Sequence, residues 1–346
     1  MNKFNWISLI ALAACGDNGG VDDAKFKSEV VANMHDSIAR DLAELVTAAQ
    51  DLQAAAPAPA GRGWDLTMDA DAIAAMKDAW VRTRVAYEHV EGATAPIFPD
   101  EDVTMDARYD DCLAILGPTG DPDAFDGAGV TGMHAIERIL YSNQIENKVT
   151  DFESVLPGYA VARFPGTAAE AMELKTGLCQ KLIDDASKLV DEWQPAAIDI
   201  GAAYQGLVGL MNEQAEKVNL AATGEEESRY SQMTLFDLRN NLDGTTKIYK
   251  LFQPWIQAKG ADDPDGNIET GFGHLDGLYA ADAGDALPPV PESWSSDMPT
   301  ATDLATPFGM LWQGVHQAVD PAADGSIVFE MNDVATVLGF PEFVEQ

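Results

Sequence analysis

Residues 26–52 read Phe26-Lys-Ser-Glu-Val-Val31-Ala-Asn-Met34-His-Asp-Ser-Ile38-Ala-Arg-Asp-Leu42-Ala-Glu-Leu45-Val-Thr-Ala-Ala49-Gln-Asp-Leu52. From Val31 an apolar residue returns every three or four positions, which places one continuous stripe along a long helix. Pro57 and Pro59 end it. A second stripe, Ile73, Met76, Trp80, Thr83, Tyr87 and Val90, predicts a partner helix from about Ala70 to Gly92. The same period predicts helices over about Thr131–Ser142, Thr167–Glu192, Pro195–Ala222, Arg229–Trp255, Asp303–Val319 and Met331–Leu338. Between Ala95 and Val130 the Pro, Gly and Asp content rises, so a long, partly ordered connection is expected there. Residues 260–299 are equally rich in breakers and are expected to hold at most one short helix near Ile268–Tyr279. The fold class is all-α. At 346 residues the chain exceeds the usual size of a single core, and the break at Pro157, Gly158 and Pro165 suggests two bundles, 25–160 and 161–346.

The 21 lysines and arginines face 57 aspartates and glutamates, a net charge of −36. Such a chain repels phosphate backbones, so nucleic acid is excluded as a partner. The bulk charge suits a solvated surface, and only local carboxylate clusters bear on function. The N-terminus is more specific. Lys3 precedes an apolar run from Phe4 to Ala11, and Leu12-Ala13-Ala14-Cys15 follows, which resembles a bacterial lipobox. Residues 1–15 are therefore expected to be a lipoprotein signal peptide, Cys15 the lipidated residue and 16–24 a tether. An ordinary cleaved signal is the alternative. The chain is placed in the periplasm or at the cell surface, and Gly16 in place of an aspartate after Cys15 favours the outer membrane. Cys112 and Cys179 remain, and an exported chain permits either a disulfide between them or two buried thiols.

Gly132-Met-His134-Ala-Ile-Glu137 is the segment with the clearest chemistry. A histidine and a glutamate three residues apart on a helix lie on one face and can reach one ion. A zinc peptidase needs three protein ligands, an open position and a general base, which a His-Glu-x-x-His helix supplies together. Here no second histidine is near, and the chain has five in all. Carboxylate-rich ligation suits harder cations such as iron or calcium better than zinc.

Three separated blocks resemble the imelysin-like family, and within it the EfeO/EfeM type of periplasmic iron-uptake component. They are Arg84-Val-Ala-Tyr87-Glu88-His-Val-Glu91, the Gly-x-His-x-x-Glu segment, and Glu226-Glu227-Ser-Arg229-Tyr230-Ser231 leading to Asp237, Asn241 and Gly244. The resemblance implies two antiparallel helical bundles with a cleft between them and a metal site, holding iron, or else zinc or calcium. It further implies an iron-uptake role with a membrane iron permease as partner, and no catalysis. The alternatives are an imelysin-type metallopeptidase, or a non-catalytic binding module for an anionic polymer or protein. On the resemblance, His134 and Glu137 are ligands, Glu91 or Glu88 completes the site from the neighbouring helix, and one of that pair holds Arg84. Tyr87 and Tyr141 support the site or ligate ferric iron. Asp151, Glu226 and Glu227 are further candidate ligands, with Asp237 and Asn241 facing the cleft. Gly92 departs from the family pattern, as does an extra Glu225 before the late block.

Overall fold

The computed structural model describes residues 21–344. The expected signal peptide, Cys15 and most of the expected tether lie outside the described residues. Sixteen α-helices are formed and, among the described residues, no strand. Helix α1 (Asp23–Ala55) starts at Asp22, whose carboxylate accepts from the Lys25 amide at 3.1 Å and so satisfies an otherwise free donor of the first turn. Its stripe is buried as expected except at its beginning, where Val30 rather than Val31 faces the core. Against it lie α2 (Ala70–Glu88) and α9 (Cys179–Trp193). Helix α2 stops earlier than its periodicity suggests. The chain turns at His89 and Val90 before a single turn, α3 (Glu91–Thr94). The cause is a close crossing: Gly244 of α11 (Thr234–Tyr249) presses on the His89 backbone, where a Cβ would stand 2.5 Å from the His89 Cα.

The stretch from Ala95 to Val130 is more ordered than its composition suggests. It contains α4 (Pro99–Asp106) and α5 (Tyr109–Leu116). Pro99 at the start of α4 and the acids Asp100, Glu101 and Asp102 in its first turn form a good helix N-terminus, because proline costs nothing where an amide has no partner and acids complement the dipole. Helix α6 (Gly132–Leu140) follows, then α7 (Asn147–Glu153) and α8 (Ala168–Glu173), which runs through a π-helical turn at Leu174–Leu178 into α9.

The later helices are α10 (Ile200–Leu220), α11, α12 (Gln253–Ala258), α13 (Asp262–Ala280), α14 (Ala301–Leu304), α15 (Pro307–Val319) and α16 (Ile327–Leu338). Helix α13 is longer than the short helix expected, since Ile268, Phe272, Leu275 and Tyr279 bury one face of it against α15 and α16 despite its glycines. Helix α10 packs on α3, α11, α15 and α16. Helix α9 instead packs on α1, α4 and α6. We therefore propose that the two groups of helices divide between Trp193 and Ile200 rather than at residue 160. One continuous apolar core joins both groups. Cys112 and Cys179 are free thiols, both buried, and burial pushes the Cys179 thiol up to about 12. No described helix is long and apolar enough to cross a membrane.

Candidate cation site

Helices α2, α3, α4, α6, α10 and α11 and the loop 221–233 bring polar side chains to one buried place. Helix α6 is buried on every side. Met133, Ile136 and Leu140 fill the core, while His134, at 1% exposure, and Glu137, at 0%, turn toward the polar cluster. Gly132 sets this position. Its φ is +88°, and a Cβ there would lie 2.6 Å from the Met105 carbonyl oxygen. Only glycine lets α6 start against the end of α4, which places His134 beside Asp106.

The side chains of His134 and Glu137 do not act alike. Glu137 Oε2 accepts from His134 Nδ1 at 2.8 Å. Its other oxygen accepts from the Tyr230 amide at 3.1 Å and from the Ser231 amide and hydroxyl, each at 2.8 Å. A carboxylate with both oxygens so engaged fixes the orientation of the ring: Nδ1 carries a proton toward Glu137, and Nε2 faces the cluster, protonated toward Asp106 in the ion-free protein and able to bind a cation once that proton leaves. Nε2 has no hydrogen-bond partner, and the nearest carboxylate oxygen, Asp106 Oδ1, is 3.5 Å away. A buried nitrogen left without a partner is costly unless something else binds there.

Around it stand two groups of three whose ligand atoms lie within 4.8 Å of one another, Asp106 with His134 and Glu227, and Glu88 with Glu91 and Glu227. Arg84, fully buried, runs between them. Its guanidinium forms an ion pair with Glu88 and donates to Asp106, to Glu227 at 2.6 Å and to Asp237 at 3.4 Å. Lys217 forms an ion pair with Glu227 at 2.6 Å and donates to Asn241 Oδ1 at 2.9 Å, with Glu91 at 3.8 Å. Asn241 donates in turn to Glu88 and, at 2.8 Å, to Glu91. Glu88, Glu91, Asp106, Glu137, Glu227 and Asp237 thus face two permanent cations, Arg84 and Lys217. The surplus is negative, and without an added cation it is met by protons. Burial, outweighing the attraction of Arg84, raises Glu88 well above the ordinary carboxylate range and Asp237 to about 7. Burial with Asp106 and Glu91 nearby raises Asp102, which accepts from the Tyr87 hydroxyl, to about 7. Asp106 goes the other way, because Arg84 and His134 overcome its burial and hold it well below the usual range.

A cleft of about 510 Å³ opens onto the cluster, with Glu91, Asp106, Lys217 and Glu227 at its floor and Asp102, Arg108, Asp111, Glu213 and Glu216 nearer its mouth. The structure therefore brings together His134, Glu137, Glu88, Glu91, Glu227, Arg84, Asp237 and Asn241, with Tyr87 alongside. It does not bring in Asp151, which is exposed on α7, or Glu226. In the loop 221–233 neighbouring side chains point opposite ways, so Glu227 faces Arg84 while Glu226 pairs with Lys148 at 2.9 Å. Tyr141 packs edge-on against Trp80 and under the Lys77 ammonium, outside both groups of three.

The family of this architecture is then decided by comparison with known proteins. The imelysin model, also labelled peptidase M75, matches residues 31–283. The chain belongs to the imelysin family. Similar curated proteins include an "Efem/EfeO family lipoprotein" of Staphylococcus haemolyticus (strain JCSC1435), 28% identical over 258 residues, which are 73% of this chain and 75% of that one. Another is the "Iron uptake system component EfeM" of Pseudomonas syringae pv. syringae (strain B728a), 28% identical over 185 residues, 54% of this chain and 51% of that protein. The match to the latter thus spans about half of its length. The crystal structure of an imelysin-like protein from Psychrobacter arcticum 273-4 aligns with a TM-score of 0.54 over 92% of this chain and 98% of that one at 14% identity, a likeness of fold alone.

Asp102, Asp106 and Lys217 of this candidate site escaped the sequence analysis. Asp106 lies in the segment taken for a loop, although Pro99 followed by three acids was a legible helix start. Lys217 carries a charge on the buried face of α10, and nothing local marks it.

The carboxyl groups give a pH signature. Asp102 and Asp237 titrate near 4 when unfolded and at about 7 when folded, so between those values the folded chain holds protons that the unfolded chain has lost, and stability falls as pH rises. His134 acts in the same direction at higher pH. Burial and Arg84 lower it, but Asp106 and Glu137 prevail and raise it to about 9, so the stability it confers below its ordinary value is lost as pH rises through 9. His89 and His316, lowered by burial, oppose this only below about pH 6.5. The melting temperature of the ion-free protein is expected to fall from about pH 5 to about pH 9. A profile that rises over that range would contradict the protonated state assigned to the cluster.

Proposed function

We propose that the protein is an exported, lipid-anchored cation-binding component of iron uptake, which takes iron into the cleft as cargo and passes it to a membrane permease. The observation that carries this reading is His134 Nε2, buried, unpartnered and held by Glu137 to face Asp106 and Glu227. One nitrogen among carboxylate oxygens suits iron better than zinc. The names of the relatives, an EfeM iron-uptake component and EfeM/EfeO lipoproteins, point the same way, and Cys15 supplies the residue for the anchor. Against a His-Glu hydrolytic pair stands the engagement of Glu137: with one oxygen accepting three hydrogen bonds and the other holding His134, Glu137 is not free to act as the general base. Its roles make Asp106, His134 and Glu227 the ligand set, Glu137 the residue that orients His134, and Glu88 and Asp237 the carboxylates that hold Arg84.

Anaerobic titration of the chain lacking residues 1–15 with ferrous iron, paired with elemental analysis of protein purified without chelator, tests this. Binding of one ion per chain is expected. Absence of binding together with chelator-sensitive cleavage of an unfolded protein substrate would instead make the chain a peptidase.

A further inference from the structure

Lys217 stands where a cation would stand. Its ammonium lies against Glu227 at 2.6 Å and Glu91 at 3.8 Å, and these are two of the three carboxylates of the second group. The other permanent cation of the cluster, Arg84, cannot leave, since four carboxylates hold its planar fork and none of it is exposed. Lys217 is buried too, at 9% exposure, but Glu227, Asn241 and Glu91 meet a single ammonium rather than a planar fork. It ends a flexible four-carbon stem, it makes point contacts only, and it lines the open cleft. One turn back on α10 stands Glu213, with Glu216 beside Lys217 in sequence; both carboxylates line the cleft on its solvent side, and Glu213 faces the Lys217 charge without an ion-pair contact to it. A lysine and a glutamate four apart on a helix are natural partners.

We infer that Lys217 is a displaceable counter-ion: its ammonium neutralises Glu227 and Glu91 in the ion-free cleft and withdraws to Glu213 as the cargo cation enters. Binding is then an exchange of the protein's own cation for the incoming one. Glu227 belongs both to the group that contains His134 and to the group that Lys217 occupies, so a cation on the first weakens the hold on the ammonium in the second. The exchange lowers affinity, and it provides a route for release, because a returning ammonium competes for Glu227 without any help from the receiving protein.

This rests on the cation-binding role proposed above, and the two fail separately. Anaerobic ferrous iron is titrated into the wild-type chain, Lys217→Met and Glu213→Gln, with dissociation followed by transfer to a chelator. Lys217→Met is expected to bind about tenfold more tightly and to release more slowly, and Glu213→Gln to bind several-fold more weakly, having lost the alternative partner. A Lys217→Met protein that binds equally or less tightly than wild type makes Lys217 a fixed structural charge and overturns the inference while leaving the site intact. If Lys217→Met does not fold, Glu213→Gln decides: weaker binding supports the exchange, and unchanged or tighter binding overturns it. A wild-type chain that binds no iron overturns the cation-binding role and this inference with it.

Discussion

Replacing His134 by alanine is expected to abolish iron binding in the cleft, whereas Glu137→Gln is expected to weaken it by about ten- to a hundredfold without removing it. The difference follows from the two ends of one imidazole. His134 Nε2 is the cluster's one unpartnered imidazole nitrogen, and nothing near it replaces a lost nitrogen ligand. Glu137 reaches the ion only through the ring: it accepts from Nδ1, and the amides of Tyr230 and Ser231 hold it in place. A glutamine there keeps the size and one acceptor, but its amide nitrogen cannot accept from Ser231 and loses the charge that makes the imidazole a better donor of electrons. Isothermal titration of both variants with ferrous iron separates the cases. Equal, complete loss in both would make Glu137 a ligand after all, and equal retention would place the ion elsewhere, with Glu88 and Glu91.

How much of this was legible beforehand depends on the range over which each residue acts. The stripe from Met34 to Leu52 and the seam of α2 are local periodicities, and the structure buries them as written. Family resemblance supplied His134, Glu137, Glu88, Glu91 and Glu227, and the cluster contains all five. The distinction between ligand and support was not legible, because it depends on what Glu137's second oxygen meets, and that is the loop at Tyr230 and Ser231, far along the chain. Asp106 was missed because a segment dense in Pro, Gly and Asp satisfies the composition of a loop, while its short helix α4 is held by contacts with α6 and α9 rather than by propensity. Asp151 was carried over from the resemblance across a loop whose length is not fixed by any motif, and α7 turns it to solvent, away from the cluster. Glu226 and Glu227 show the limit most sharply. Composition cannot separate two adjacent glutamates, and the direction of a loop side chain decides which one meets Arg84.

Arg84→Met carries the largest expected effect on stability. The guanidinium serves four carboxylates at once, and an apolar side chain of similar length leaves Glu88, Asp106, Glu227 and Asp237 with their mutual repulsion and only Lys217, His134, Asn241 and Ser228 for relief. Loss of one partner from a buried pair costs about 3–5 kcal/mol, and here the lost partner is shared. The variant is therefore expected to unfold at much lower urea than wild type at neutral pH. The deficit should shrink as pH is lowered. Without Arg84 the cluster carboxyls take up protons more readily still, so the folded variant holds protons that the unfolded chain releases above about pH 4, and its stability rises on acidification across the range where those protons return. Wild type gains less from the same change, because Arg84 already holds Asp106 ionised well into acid. Urea midpoints of the two proteins at about pH 5 and about pH 8 check this, and a gap that stays constant or widens on acidification would mean that Arg84 acts by packing rather than by charge. Added iron should also narrow the gap, because a cation held by Asp106, His134 and Glu227 neutralises part of the charge that Arg84 no longer offsets.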